Sequence, residues 1–193
     1  MHGSTATDTE ALMTGQLSEA AGEITVVTAT DGNHGRSVAW GARNVGCRCV
    51  IYMHAEVSPG RQSAVETLGA EVIRVAGDYG ESVRQAAQDA AANNWLLVSD
   101  TAWPGYTDIP RAVMAGYTVM STEAMNRLPP AITPTHVFVQ GGCGGLAGAV
   151  CADLWHRYDA QRPRFIVVEP VPADCLFQSA LAAQLVHISV TRD

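Results

Sequence analysis

The sequence predicts an α/β fold, an open parallel sheet with helices on both faces, divided between two lobes. Three observations predict it. Short apolar runs rich in β-branched residues alternate with stretches of helical spacing, glycine or other turn formers separate them, and 193 residues at 47% hydrophobic can bury a substantial core. Strands that alternate with helices are joined by crossovers, so neighbours run parallel and both sheet faces are covered.

Residues 1–22 are weakly patterned and form a leader, with a short helix expected through Thr9 to Ala21. Ile24 to Thr28 is the first strand; the turn formers Thr30-Asp31-Gly32-Asn33 follow it. Val38, Ala39, Ala42 and Val45 then fall on one helical face that Gly46 closes. The unit repeats with Cys49–Met53 as strand, Arg61–Leu68 as helix, Glu71–Val75 as strand, Tyr79–Asn93 as helix and Trp95–Ser99 as strand. Pro104 to Pro110 reads as an irregular crossover, and Arg111–Leu128 as a long helix stopped by Pro129-Pro130. Beyond it come strand His136–Gln140, helix Leu146–Tyr158, strand Phe165–Glu169 and, in Leu181–Asp193, a helix and strand with no evident pairing partner. The expected organisation is the leader 1–22, a small α/β lobe over 23–115 and part of a larger α/β lobe over 116–193.

Composition narrows the function. Twelve basic against nineteen acidic residues give a net charge of −7, against the positive face that a nucleic-acid partner requires. No apolar run reaches the ~18 residues of a membrane span, and residues 1–22 lack both an apolar core and arginine, so neither a signal nor a transit peptide is expected and the location is cytoplasmic. The five cysteines contain no Cys-x-x-Cys pair and the six histidines no ligand spacing, so they are read as packing residues and no metal is expected. All twelve basic residues are arginine: the chain contains no lysine. At a solvated surface that costs nothing, but it matters wherever an amine must react.

Two loops carry candidate chemistry. Thr30-Asp31-Gly32-Asn33-His34-Gly35 joins a strand to a helix, where free amides and the positive helix end favour an anionic group. A plain Asx-type turn with a helix cap explains the same residues. The second loop, Gly141-Gly142-Cys143-Gly144-Gly145, also lies between strand and helix, and its successive amides suit a phosphate without any basic side chain. Read as Gly142-x-Gly144-x-x-Ala147, with Glu169 closing the next strand, the same loop also fits a dinucleotide fingerprint and hence a nicotinamide-dependent oxidoreductase. Asp31 and Asp100 both follow strands, at the carboxyl edge where open α/β sheets bind ligands, although solvated turn aspartates are common.

The string Ala29-Thr30-Asp31-Gly32-Asn33-His34-Gly35-Arg36, continued by Ser37-Val38-Ala39-Trp40, resembles the asparagine-loop segment of the diaminopropionate ammonia-lyase family, fold-type II enzymes dependent on pyridoxal phosphate (PLP). Ile51-Tyr52-Met53, Leu68-Gly69-Ala70-Glu71, Ser99-Asp100-Thr101-Ala102-Trp103, Pro134-Thr135-His136-Val137 and Val168-Glu169-Pro170 extend the likeness in the same order, over about residues 24 to 180. The resemblance implies an α,β-elimination that converts 2,3-diaminopropionate, a small amino acid, to pyruvate and ammonia. It implies Asn33 on the phenolic oxygen of the cofactor ring and Gly141, Gly142, Cys143, Gly144 and Gly145 around its phosphate. Asp31 would be the acid–base group at the substrate α-carbon and Asp100 a partner of the substrate amino groups. The family's Schiff-base lysine lies upstream of the asparagine loop, and no counterpart is found here. The family also continues past Asp193. The expectation is a fragment truncated at both ends, which holds PLP non-covalently at best and is inactive or weakly active, as a homo-oligomer or with a complementing chain. A non-catalytic binding or regulatory subunit is the alternative.

Overall fold

The computed structural model describes residue 11, residues 14–129 and residues 131–188. The chain divides between Ser99 and Asp100 into two compact units.

In the first unit, a one-and-a-half-turn helix α1 (Ser18–Gly22) precedes strand β1 (Thr25–Ala29), helix α2 (Asn33–Val45), β2 (Arg48–His54), α3 (Pro59–Glu66), β3 (Glu71–Val75), α4 (Tyr79–Asn93) and the two-residue β4 (Leu96–Leu97). The strands form one parallel sheet in the order β3-β2-β1-β4, with Val27 opposite both Val50 and Leu97. The central strands β1 and β2 are buried almost throughout, because each alternate residue meets a helix on one side or the other. Val26, Ile51 and Met53 pack with Ala39 and Ala42 of α2 and Val65 of α3. Val27, Val50 and Tyr52 pack on the opposite face with Ala86 and Ala90 of α4. Alanine at the α2 and α4 positions lets those helices approach the sheet closely. Tyr52 keeps its hydroxyl satisfied by donating to Asp89 of α4, which ties that helix to the sheet.

The second unit holds α5 (Asp108–Asn126), β5 (His136–Gln140), α6 (Gly145–Tyr158), β6 (Arg164–Val168) and α7 (Cys175–Ala182). β5 and β6 pair in parallel, Phe138 opposite Ile166. Helices α5 and α6 pack against each other, and Ser121 of α5 donates to Asp153 of α6 at 2.5 Å. Phe138 and Val168 are more than half exposed, so the two-stranded sheet is open where the four-stranded sheet is covered.

The α/β class and the parallel sheet agree with the sequence expectation, and β3, β5 and α4 have the expected ends. Differences are local. The strand expected over Trp95–Ser99 is only Leu96–Leu97, because the Trp95 amide still closes α4 on Ala90 and the Val98 carbonyl is taken by the His34 ring at 2.8 Å. α5 starts at Asp108 rather than Arg111, since a proline in the first helical turn, here Pro110, removes an amide that has no intrahelical acceptor anyway. Of the leader helix, Ser18–Gly22 is present and residues 1–10, 12 and 13 lie outside the described residues, as do residues 189–193 of the expected final strand. Among the described residues no helix is long and apolar enough to cross a membrane.

The five cysteines are all free thiols, with Cys49 buried in the sheet and Cys143 exposed. Burial, reinforced by Cys47, pushes the Cys49 thiol up to about 11, so at pH 8 it has almost no thiolate. Iodoacetamide at that pH is expected to label Cys143 first and Cys49 last, as peptide mass mapping over time will show; early labelling of Cys49 would contradict the packing of β2.

Candidate functional site

The first candidate loop leaves the sheet at the end of β1. The Thr30 amide still donates to the Tyr52 carbonyl at 3.0 Å, so the ladder runs one residue past the strand. The buried Thr30 hydroxyl then accepts two amides, from Gly32 at 3.0 Å and Gly35 at 3.2 Å. This satisfies two donors at the start of α2 that the helix cannot. The turn is tight enough that a β-carbon on Gly35 would lie 2.2 Å from the Thr30 methyl group. His34 anchors the other side by donating Nε2–H to Val98. Held at both flanks, the loop presents Asn33 exposed at the first position of α2. Beside it opens a cleft of 370 Å³ lined by Gly32, Asn33 and Arg36 from this loop and by Ser58, Gly60 and Arg61 at the start of α3. Two helix starts and two guanidinium groups make it an electropositive spot on an acidic chain.

Asp31 lies between Thr30 and Gly32 with its side chain 42% exposed. Its Oδ1 is 3.3 Å from Nε2 of the buried His54, the last residue of β2. The distance is that of an ion pair, yet the same oxygen is buried and receives no aligned hydrogen bond. The contact is therefore electrostatic, close in distance but not closed in geometry. His54 is absent from the expected site residues, because nothing in a strand's local pattern says which loop its last side chain will meet.

The second candidate loop follows β5. The Gly141 amide donates to Val168, and the Gly144 amide to Gly141, both at 3.0 Å, which folds the loop into a tight turn before α6. Gly142 and Gly144 are left-handed, at φ +54° and +89°, which side chains rarely adopt. The result is a bend without bulk, ahead of a 14-residue helix whose first amides have no intrahelical acceptors. Such a bend fits an oxyanion such as phosphate. Gly141 is small for another reason: a β-carbon there would lie 2.6 Å from Cγ of Glu169. The Glu169 carboxylate accepts the amides of Leu176 at 3.0 Å and Phe177 at 2.8 Å and so caps α7. That is the acid the dinucleotide reading assigns to a ribose, and it is already engaged.

Asp100 belongs to the second unit, where it accepts from the Thr101 hydroxyl at 3.3 Å. A β-carbon on Gly145 would lie 3.4 Å from the Asp100 carbonyl, so the aspartate backbone borders the glycine loop. Tyr117 of α5 faces the same place: burial raises its phenol above the usual tyrosine range, and the charges of Asp100 and Cys143 add to the shift. Tyr117, the single aromatic of α5, is also absent from the expected site residues, because the groups it faces come from distant sequence. Trp103 and Tyr106 stack with centroids 4.1 Å apart in the crossover after Asp100. Among the described residues no group of three or more His, Cys, Asp or Glu side chains could hold a metal ion.

Two substitutions test these loops. Gly35→Ala forces Thr30 out of its pocket and is expected to cost about 3 kcal/mol in urea unfolding, from overpacking and lost hydrogen bonds. Adding Thr30→Ser removes the clashing methyl group but keeps the oxygen, so the double variant should recover part of the loss; no recovery would place the clash elsewhere. Gly141→Ala is expected to displace Glu169 and destabilise by about 1–3 kcal/mol, with fraying of α7 seen as faster amide exchange at Leu176 and Phe177.

Residues 4–192 match the family described as pyridoxal-phosphate dependent enzyme. The chain is 42% identical over 183 residues to the diaminopropionate ammonia-lyase of Escherichia coli K12, covering 94% of this chain and 46% of that protein. The crystal structure of holo diaminopropionate ammonia lyase from E. coli superposes with a TM-score of 0.87 at 39% identity, over 96% of this chain and 47% of that one. The E. coli enzyme in complex with an aminoacrylate-PLP azomethine reaction intermediate gives 0.81 at 42% identity, over 84% and 43%. The chain thus spans about half the length of these relatives. With its parallel α/β fold, its two strand-to-helix loops and a family match along nearly all of its length, the chain belongs to the pyridoxal-phosphate-dependent enzyme family.

Proposed function

We propose that this chain carries part of the substrate and cofactor machinery of a diaminopropionate ammonia-lyase, and that it binds PLP without a covalent tether. One observation supports the cofactor reading above others: loop 141–145, where left-handed Gly142 and Gly144 bend the backbone ahead of α6 and the turn's own hydrogen bonds take only the Gly141 and Gly144 amides. Of the five expected residues, Gly141 and Gly144 close the turn, their amides being spent on Val168 and Gly141, so the phosphate cradle falls to the amides of Gly142, Cys143 and Gly145. Asn33, exposed at the start of α2, donates to the phenolic oxygen of the ring. When bound, PLP supplies an electron sink that acidifies the α-carbon of an amino acid.

The remaining roles fall to carboxylates. Asp31, half inside its loop and half exposed, takes the α-proton and returns it to a leaving amine. Asp100 pairs with the ammonium groups of a small diamino acid. The absence of lysine from all 193 residues leaves no side-chain amine to tether the cofactor, so turnover is expected to be slow. Association with a second copy or a complementing chain, and a cytoplasmic location, go with this reading; the exposed Phe138 and Val168 offer a surface for association.

Titration with PLP, followed by its absorbance, tests the proposal. The chain is expected to bind, Asn33→Ala and Gly144→Ala to weaken binding about tenfold or more, and borohydride to leave no pyridoxyl group on an internal side chain. With PLP and 2,3-diaminopropionate supplied together, pyruvate should form slowly above the blank and return to it in Asp31→Asn. A folded chain that leaves the PLP spectrum unchanged overturns the cofactor reading; pyruvate formation that survives Asp31→Asn overturns the role of that carboxylate.

A further inference from the structure

Asp31 has one oxygen inside the protein and one outside. Oδ1 is buried without an aligned donor, while the side chain as a whole is 42% exposed, so the exposure lies on its other atoms, Oδ2 among them. A buried carboxylate oxygen needs a donor, and one stands 3.3 Å away, Nε2 of His54.

The proton on that ring can be located. Nδ1 of His54 accepts the Glu56 amide at 3.3 Å. A ring nitrogen that accepts carries no hydrogen, so the neutral imidazole holds its proton on Nε2, facing Asp31. Two neighbouring polar side chains at this end of the sheet are engaged elsewhere. Thr30 Oγ1 serves Gly32 and Gly35, and Arg74 of β3 directs its guanidinium to the carbonyls of Ala55 and Val57. Glu56 meets the ring through its amide. The final torsion of an aspartate is soft, so a small rotation aligns Oδ1 with the waiting N–H.

We propose that His54 is a positioning residue for Asp31: its Nε2–H holds Oδ1 inward, and this leaves Oδ2 as the oxygen that meets solvent and exchanges protons. The division of labour follows from geometry. One carboxylate oxygen fixes the rotamer and the other is free to react, much as the orienting partner of any general base holds it in a productive geometry. The catalytic meaning rests on the reading of Asp31 as the acid–base group; the pairing itself does not.

Nitrogen-15 spectra of the imidazole rings, recorded at neutral pH on the whole chain without PLP, decide the matter. His54 is expected as the Nε2–H tautomer, and Asp31→Ala should move its Nε2 resonance while the other five histidines stay in place. His54→Leu should shift the Asp31 carboxyl carbon signal, and His54→Gln, which restores an N–H donor, should bring it part of the way back. The opposite tautomer, or an Nε2 resonance indifferent to Asp31→Ala, overturns the proposal and leaves His54 a packing residue. Should His54→Leu fail to fold, the wild-type and Asp31→Ala spectra still decide. Because no cofactor is present, a chain that never binds PLP can still pass this test, and a chain that binds PLP with the wrong tautomer fails this proposal alone.

Discussion

A single hydroxyl oxygen fixes the first loop. Thr30 Oγ1 accepts the amides of Gly32 and Gly35, and the turn it closes sets where Asp31 and Asn33 stand. The hydroxyl can reach both amides only because the backbone at Gly35 lies against the threonine methyl group, closer than any side chain would allow. Glycine at that position is thus a steric requirement and not a matter of loop flexibility. The strand behind it supplies rigidity: β1 is buried on both faces, and its ladder extends through the Thr30 amide. A loop carried by such a strand is placed as accurately as the sheet itself.

The second unit solves a similar problem with different groups. There the close approach is between Gly141 and the side chain of Glu169, and the carboxylate that fills the space also caps α7. One glycine therefore couples the glycine loop to the end of β6 and to the next helix. Both units use the end of a parallel strand, a glycine without room for a β-carbon, and a polar side chain satisfied by backbone amides. In each, the groups left over are the amides at the start of a helix, which is where an anionic group gains from both donor geometry and helix dipole.

Much of this was legible in the sequence, and the reasons are local. Ile24 to Thr28 and Cys49 to Met53 read as strands because they are uninterrupted apolar or β-branched runs, and they came out within one residue at each end. Tyr79–Asn93 was bounded correctly because Asp78 caps it and Asn94 takes the left-handed turn that ends it. The errors arose where distant residues compete for a backbone group. Nothing near Val98 says that its carbonyl will be claimed by His34, and that claim shortens β4. The same holds for the site. Asp31, Asn33 and the glycine loop lie in strand-to-helix turns whose composition is distinctive, whereas His54 and Tyr117 are ordinary members of a strand and a helix. They approach Asp31 and Asp100 only through the register of β2 beside β1 and the packing of α5.

The absence of lysine weighs unequally on the two halves of the chemistry. A phosphate held by backbone amides needs no cation, since the donors are fixed dipoles whose positions the fold determines; in the loop from Gly141 to Gly145 the Gly141 and Gly144 amides close the turn and those of Gly142 and Cys143 stay outside it. A covalent tether needs an amine, and arginine cannot replace it: the guanidinium stays protonated at any pH at which the protein is folded, so it has no free electron pair to offer a carbonyl. Arginine can therefore stand in for lysine at a solvated surface without standing in for it at a reacting carbon. Among these 193 residues arginine thus supplies charge but no nucleophilic nitrogen.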